Sequence, residues 1–211
     1  EQMVPGRFDG RNTLLTRRMK GGASLKVLSA KAPRKLRRHT ARVLFCDEVD
    51  GMEITKEGDP ILLAEKRTLS FADRKIVAGS TPIDDAKSII IKRYEESDQR
   101  VFEMPCPNCS EPFELMFEHM KWDPGHPETV VAICPSGTGC VIEEHHKAAM
   151  VEAGDWRRTR PHIEGHAGFR ISSLISLFTN ASWKELVKEY ESAQRGGAEA
   201  QQVFYNTTLG R

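Results

Sequence analysis

The stretch "RVLFCDEVDG", residues 42–51, places two adjacent carboxylates, Asp47 and Glu48, directly after a short apolar run. The run is typical of a strand buried on both faces, as in a parallel sheet, with Cys46 as a small core residue. An unpaired charge is unfavourable inside such a strand, so the two acids are expected at its end. Functional groups of open α/β sheets lie at the carboxyl ends of strands. The sequence therefore predicts a functional site at Asp47 and Glu48.

A second stretch, "RKIVAGSTP" at residues 74–82, repeats this design, with small polar residues after an apolar run. Residues 59–72 between the two stretches have the apolar spacing of a helix. Two strands separated by a helix predict a right-handed parallel crossover unit. Ser80 and Thr81 then follow the second strand, where their hydroxyls can donate to a phosphate oxygen or to an attacking water.

Nucleotide hydrolysis needs one carboxylate to hold the Mg²⁺ that bridges the phosphates and another to orient or deprotonate water. An apolar run followed by Asp-Glu resembles the Walker B motif of P-loop ATPases. By this resemblance Asp47 is the Mg²⁺ ligand, Glu48 is the catalytic base, and Ser80 and Thr81 sense the γ-phosphate of ATP. The alternatives are an exposed strand-to-loop corner for the acids and a plain turn ending at Pro82 for the hydroxyls.

The 211 residues contain no G-x-x-x-x-G-K-[ST] phosphate-binding loop. Such a loop should precede the Walker B strand, so we expect it upstream of Glu1. The first residue is not Met, and we interpret the chain as a fragment of a longer protein. The isolated chain is expected to bind nucleotide poorly and to be inactive as an ATPase.

Four of the five cysteines occur as two pairs, in "CPNC" and "CPSGTGC". A C-x₂-C knuckle, a spacer of roughly two dozen residues and a second pair predict a zinc site in a reducing compartment. Four sulfur ligands leave no open position, so the zinc is expected to be structural. A disulfide in oxidised protein is the alternative. The predicted ligands are Cys106, Cys109, Cys134 and Cys140, with His119, His126, His145 and His146 as possible substitutes for one of them.

Composition supports a packed protein, because 39% of residues are hydrophobic and 29% are charged. No apolar run approaches the ~20 residues of a membrane span. The net charge is only +1, but Asp9 is the sole acid between Arg7 and Arg42. This asymmetry predicts a basic face, with an ordinary solvated surface as the alternative.

The remaining elements follow from apolar spacing and capping residues. Ser182 is a predicted N-cap that opens an amphipathic helix at residues 182–196, with Glu185 completing a capping box. The other predictions are a strand in 24–30, a short basic helix in 32–38, a helix in 88–100, an inserted β-rich module at 101–142, a helix in 143–154, a strand returning to the main sheet at 166–176, and a helical end at 198–210.

Several ordered segments, among them "RVLFCDEVD", "KIVAGSTP", "YEESDQRVFEMPCPNC" and "FYNTTLG", together resemble the large subunit of tailed-phage DNA-packaging terminases, in the lambda-like GpA branch. The resemblance runs across nearly the whole chain. It implies an α/β P-loop NTPase fold (RecA/ASCE-like) with a parallel sheet and an inserted zinc-ribbon-like β module. It also implies a motor that hydrolyses ATP to drive double-stranded DNA into a preformed capsid, and an endonuclease domain beyond Arg211.

On this interpretation, residues 1–100 are the ATPase core, 101–142 the zinc module, and 143–211 the end of the ATPase domain. The implied partners are double-stranded DNA, the terminase small subunit, the portal protein and further copies of the chain. The implied location is the host bacterial cytoplasm, with transient docking at the portal. Sequence-independent grip on DNA requires cations that contact phosphates. The candidates are Arg34, Lys35, Arg37 and Arg38.

Three other functions remain open from the residues alone. A helicase-like ATPase with a zinc insert would share the Asp47–Glu48 site but would carry a second motor domain. A non-enzymatic zinc-ribbon adaptor would explain the cysteines but would leave Asp47 and Ser80 without a role. Nuclease chemistry at Asp47 and Glu48 is less favoured, because no further acids cluster at comparable strand ends.

Overall fold

The structure, a computed structural model, describes residues 13–83, 87–137 and 139–210. The chain divides into two compact units, residues 1–80 and residues 81–211. The boundary at residue 100 between an ATPase core and a zinc module stays a prediction. Within the described ranges, no helix combines the length and the apolar character that crossing a bilayer would need.

The first unit begins with a small antiparallel hairpin. Its strands are Thr16–Arg18 (β1) and Ser24–Lys26 (β2), in a register that pairs Thr16 with Lys26 and Arg18 with Ser24. The helix Pro33–Leu36 (α1) follows, and it confirms the predicted short basic helix.

The rest of the first unit is a strand–helix–strand arrangement. Val43–Asp47 (β3) is followed by Pro60–Glu65 (α2) and Lys75–Gly79 (β4). β3 and β4 pair in parallel, with Asp47 opposite Gly79. Asp59 caps α2 by accepting from Ile61 N at 2.7 Å, and the helix gives way to a 3₁₀ turn earlier than its sequence pattern predicted. The two strands therefore end at the same edge, as expected for a crossover unit.

The burial of β3 differs from the prediction of a strand covered on both faces. Cys46 is buried, as predicted, but Phe45 is 70% exposed and Val43 is 43% exposed. Successive side chains point to opposite faces of a strand, so Phe45 and Asp47 share the open face and Cys46 lies on the other. In the described part of this unit, the sheet has only the two strands β3 and β4. Other residues of the unit cover the face that carries Cys46 and leave the face that carries Phe45 open.

The second unit contains two antiparallel sheets and most of the helices. One sheet has the order β10-β5-β6 and the other has the order β7-β8-β9. In chain order the elements are Ile89–Glu95 (α3), Arg100–Pro105 (β5), Pro112–Glu114 (β6), Met120–Asp123 (β7), His126–Ile133 (β8), Val141–Ile142 (β9), Lys147–Glu152 (α4), Asp155–Arg158 (β10), Trp183–Gly196 (α5) and Ala198–Phe204 (α6).

Serine side chains cap the starts of α3 and α5. Ser88 accepts from Ile91 N at 3.1 Å and Ser182 accepts from Glu185 N at 3.3 Å, so the predicted N-cap of α5 is confirmed. A π-helical turn, Tyr205–Leu209, follows α6.

One hydrophobic core runs through the second unit. It joins Met104 of β5 and Ile142 of β9 to Trp183 and Val187 of α5 and to Phe204 of α6. The indole N–H of Trp183 donates to Leu174 O at 3.0 Å inside this core. The segment 101–142 is β-rich, as predicted, but its core is shared with the C-terminal helices. Whether it acts as a separate zinc module stays a prediction.

The predicted return strand at residues 166–176 is wrong. Phe169 makes a single parallel bridge with Arg100, and a 3₁₀ turn at Ser173–Ile175 follows. The cause is local, because the hydroxyl of Ser172 accepts from Leu174 N and stabilises the turn instead of an extended strand.

Candidate functional site

The carboxyl ends of β3 and β4 bring Glu48 and Ser80 together. The Ser80 hydroxyl lies 3.4 Å from Glu48 Oε2 and donates to that carboxylate. The same Ser80 oxygen accepts from Asp50 N at 3.2 Å. Ser80 thus connects the end of β4 to the turn that follows β3 and contacts the Glu48 carboxylate.

Glu48 adopts a backbone conformation that is uncommon for a residue other than glycine. Its φ and ψ are both 52°, in the left-handed region. Such a conformation costs about 1–3 kcal/mol and is concentrated at functional sites. The consequence here is geometric, because the left-handed turn ends β3 abruptly and allows the Glu48 carboxylate to reach Ser80.

Asp47, the last residue of β3, is exposed and lines an open cleft of about 830 Å³. Phe45 lines the cleft from the same strand face, and residues 25–31 and 51–56 form other parts of its wall. Neither acid is sealed from solvent. The cleft is roomy enough for a phosphate group and its metal ion to approach Asp47.

Thr81 is exposed and is the first residue of the second unit, directly after Ser80 in the chain. The hydrogen bonds at the strand ends of the first unit are made by Ser80. Ser80 is therefore a predicted sensor residue whose hydroxyl contacts Glu48.

The four predicted DNA-contacting residues are all exposed on α1 or just after it, and a carboxylate that sequence reasoning missed pairs with two of them. Arg34 Nε lies 3.3 Å from Glu57 Oε1, and Arg37 Nη2 lies 2.9 Å from Glu57 Oε2. No local pattern pointed to Glu57, since it is 23 positions from Arg34 in the sequence.

Three of the four predicted zinc ligands converge in the second unit. The sulfur atoms of Cys106, Cys109 and Cys134 all lie within 4.8 Å of one another, and Cys109 Sγ is 3.8 Å from Cys134 Sγ. Sulfurs at the corners of a tetrahedral zinc site with bonds of about 2.3 Å are about 3.8 Å apart. No disulfide joins any of the five cysteines, all of which lie in the described part of the chain.

Backbone hydrogen bonds shape the loops that carry these sulfurs. Cys106 N donates to Glu111 O and Ser110 N donates to Cys106 O, which closes the C-x₂-C knuckle. The second loop is closed by Cys134 N, which donates to the carbonyl of Cys140 at 2.9 Å. Cys140 belongs to this loop, but its sulfur is not within 4.8 Å of all three others.

Ser136 is a residue of the cysteine cluster that sequence reasoning missed. Its hydroxyl lies 3.4 Å from Cys109 Sγ and 3.0 Å from Cys134 Sγ. Hydrogen bonds from Ser136 and from the Glu111 backbone lower the pKa of the Cys109 thiol to about 6, whereas burial raises the pKa of the Cys134 thiol. A thiolate at neutral pH beside two further sulfurs is a donor set that fits a soft or borderline metal such as zinc.

The substitute histidines have other contacts. His119 Nδ1 accepts from Met116 N at 3.2 Å, His126 pairs with Glu128 at 3.0 Å, and His145 pairs with Glu143 at 3.3 Å. His146 stacks on His145 with ring centroids 3.9 Å apart. Among the described residues, none of these four histidines joins the sulfur cluster.

Comparison with known proteins shows which family this sequence belongs to. The ATPase domain of phage terminase large subunit gpA matches residues 3–156, and the endonuclease domain of the same subunit matches residues 166–211. Endonuclease-domain sequence therefore begins before Arg211, which corrects the expectation that it lies wholly beyond that residue.

Two curated relatives cover almost the whole chain. The terminase large subunit of Enterobacteria phage P21 is 29% identical over 230 aligned residues, which cover 97% of this chain and 35% of the relative. The terminase large subunit of Escherichia phage lambda is 28% identical over 224 aligned residues, which cover 94% of this chain and 34% of the relative. The chain spans about a third of the length of these relatives. No solved structure matches it significantly. Because the ATPase-domain match covers more than half of its residues, the chain belongs to the gpA family of phage terminase large subunits.

Proposed function

We propose that this chain is part of the ATPase motor of a DNA-packaging terminase, which hydrolyses ATP to move double-stranded DNA into a procapsid. The observation that carries the proposal is the hydrogen bond between Ser80 and Glu48, two residues that are 32 positions apart and meet at the ends of parallel strands. Membership of the gpA family supports it. Because the chain covers about a third of its relatives, the proposal concerns the activity of the full-length protein.

Each polar group at the strand ends has a distinct proposed role. The exposed carboxylate of Asp47 would hold Mg²⁺, which supplies charge neutralisation at the ATP phosphates. Glu48 would orient the attacking water and accept its proton. The Ser80 hydroxyl would keep the Glu48 carboxylate in position, and Thr81 would report the presence of the γ-phosphate. The left-handed backbone at Glu48 supports this assignment, since strain of this kind is retained where function needs it.

The cysteine cluster is proposed to bind a structural Zn²⁺ through Cys106, Cys109, Cys134 and Cys140. Buried Cys106 and Cys134 and the shared core around them support a role in holding the loops of the second unit together. The zinc would take no part in hydrolysis, because four sulfur ligands leave no position for a substrate.

The proposed partners follow from the motor function. They are double-stranded DNA, the terminase small subunit, the portal protein and further copies of the same subunit, in the host bacterial cytoplasm and at the portal. The full-length protein would also cut DNA, and the match of residues 166–211 to the endonuclease domain supports this.

The test is the Glu48→Gln substitution in the full-length protein. Loss of the base should lower kcat for ATP hydrolysis by about 10²–10⁴-fold and abolish packaging. Glu164→Gln is the matched control, because Glu164 is an exposed acid of the second unit that does not line the cleft at Asp47, and its activity should match wild type. Turnover of Glu48→Gln near the wild-type value would show that Glu48 is not the base.

A further inference from the structure

An open cleft of about 590 Å³ lies between the β1–β2 hairpin and the segment that contains α1. We name it the basic cleft, since its charged side chains are cations and none of the described residues that line it is acidic. It adjoins the cleft at Asp47, and Lys26, Val27, Leu28 and Ser29 line both. The lining consists of Leu15, Thr16, Arg18, Ser24, Lys26, Val27, Leu28, Ser29, Lys35 and His39.

The hairpin register explains how the cations and hydroxyls come to one side. Thr16 pairs with Lys26, and Arg18 pairs with Ser24. Residues opposite each other in an antiparallel pair lie on the same face, as do residues two apart in a strand. All four therefore share one face of the hairpin, and that face forms one wall of the basic cleft.

The opposite wall comes from α1 and the turn that follows it. Lys35 lines the cleft from α1, and His39 Nδ1 lies 3.0 Å from Lys26 Nζ. This contact brings the two walls together at one end. Lys26 and Lys35 thus belong to different elements but face the same open space.

The charged residues among those described as lining the basic cleft are cations, whereas an acid pairs with cations on and just after α1 outside that lining. On α1 and just after it, Arg34 and Arg37 are paired with the Glu57 carboxylate at 3.3 and 2.9 Å. Lys35 instead faces a lining that holds two further cations, Arg18 and Lys26. An oxyanion between Lys26 and Lys35 would interact favourably with both charges.

The polar and apolar parts of the lining fit a phosphate that is attached to a sugar. The hydroxyls of Thr16, Ser24 and Ser29 can donate to phosphate oxygens. Leu15 and Val27 are more than half exposed and offer apolar surface beside the cations. We propose that the basic cleft binds backbone phosphates of a nucleic acid through Arg18, Lys26 and Lys35. The proposal rests on the proposed function only for the identity of that polyanion as double-stranded DNA.

The experiment is equilibrium binding of the full-length protein to duplex DNA over a range of salt concentrations, without ATP. Each phosphate contact contributes about 0.9 to the slope of log affinity against log salt. The double substitution Lys26→Gln, Lys35→Gln should reduce the slope by about 2 and weaken binding equally on two unrelated sequences. Lys26→Arg, Lys35→Arg retains both charges and should retain the slope.

Lys75→Gln, Lys184→Gln is the matched control for net charge, because both lysines are exposed and neither lines the basic cleft. Its slope should stay at the wild-type value. A slope for Lys26→Gln, Lys35→Gln that equals this control would overturn the proposal.

A second arm separates the two sources of phosphate. The Michaelis constant for ATP is measured on the same variants, since nucleotide phosphates have the same chemistry as the DNA backbone. A raised constant with an unchanged DNA slope would assign the cleft to nucleotide and refute the backbone proposal. Glu48→Gln tests the motor independently, because it should stop hydrolysis without changing the DNA slope. The DNA-binding slope therefore tests the basic cleft, and ATP hydrolysis by Glu48→Gln tests the motor, so that failure of one proposal can be distinguished from failure of the other.

Discussion

The Ser80 hydroxyl donates to the Glu48 carboxylate across the ends of two parallel strands, with Oγ and Oε2 3.4 Å apart. The same oxygen accepts from Asp50 N, so the proton of the hydroxyl is directed toward Glu48. This arrangement makes Ser80 a positioning residue for the proposed base. A change at the end of β4 would be transmitted to Glu48 through one hydrogen bond.

Ser80→Ala should lower kcat for ATP hydrolysis about two- to tenfold in the full-length protein. A long hydrogen bond between exposed groups contributes about 0.5–1.5 kcal/mol, and 1.36 kcal/mol corresponds to tenfold in rate. The Michaelis constant should change little, because the lost contact orients the base and does not bind ATP. Ser80→Thr retains the hydroxyl and should restore most of the rate. Equal kcat values for Ser80→Ala and wild type would contradict the positioning role.

Local signals in the sequence predicted much of the fold. The apolar runs before Asp47 and Ser80 predicted β3 and β4, and Ser182 predicted the start of α5. These signals succeed because capping and strand alternation depend on neighbours within a few positions. They also predicted that the two strand ends lie side by side.

Features that depend on distant residues were not predictable in this way. The exposure of Phe45 depends on what covers a sheet face, and the pairing of Arg34 with Glu57 joins residues 23 positions apart. The left-handed conformation of Glu48 is adopted mainly by Gly, Asn and Asp, so the residue type gave no indication of it. The failed strand at residues 166–176 shows the converse error, because an apolar pattern was given more weight than the turn-forming Ser172.

The cysteine cluster should hold about one zinc ion per chain, measured by elemental analysis of protein purified without chelator. Cys106→Ser should lose that metal, because buried Cys106 supplies one of three sulfurs that lie within 4.8 Å of one another. Cys46→Ala is the control, since Cys46 lies in β3 of the first unit, and it should retain the metal.

Cys140→Ser tests the fourth ligand separately. The carbonyl of Cys140 accepts from Cys134 N, so its loop is already folded toward the cluster. Loss of zinc in this variant would confirm a four-cysteine site. Retention of one zinc ion would exclude Cys140 as a ligand and leave the three-sulfur group as the protein's contribution. Absence of metal from wild-type protein under reducing conditions would refute the zinc site.

Asp98→Asn should destabilise the second unit at neutral pH by about 2 kcal/mol. The Asp98 side chain is almost fully buried, and its carboxylate accepts from Arg100 Nε at 2.9 Å and Gly168 N at 3.1 Å, with Arg158 Nε at 3.3 Å. The amide of Asn keeps one acceptor but loses the charge that both guanidinium groups face. Urea unfolding followed by tryptophan fluorescence measures this unit alone, because all three tryptophans lie in it.

The same carboxylate predicts a pH dependence. Burial acts to raise the pKa of Asp98, but the hydrogen bonds from Gly168 and Arg100 outweigh it, so the pKa lies below its ordinary value. Stability from a lowered carboxyl pKa is fully present above the unfolded pKa of about 4 and is lost as pH falls through the folded pKa. The difference between wild type and Asp98→Asn should therefore be constant near neutrality and shrink below about pH 4. A difference that does not change between pH 7 and pH 3 would contradict this role of the charge.

Gly168→Ala should also destabilise the second unit, by about 1–3 kcal/mol. A Cβ atom at Gly168 would lie 1.9 Å from Ser97 Oγ and 2.7 Å from Ser97 Cβ, so the backbone must shift. That shift would lengthen the hydrogen bond from Gly168 N to Asp98. The decisive measurement is a double-mutant cycle with Ser97→Gly, which removes both clashing atoms. Gly168→Ala should cost less in the Ser97→Gly background than in wild type, and an equal cost in both would show that Ser97 is not what requires glycine at this position.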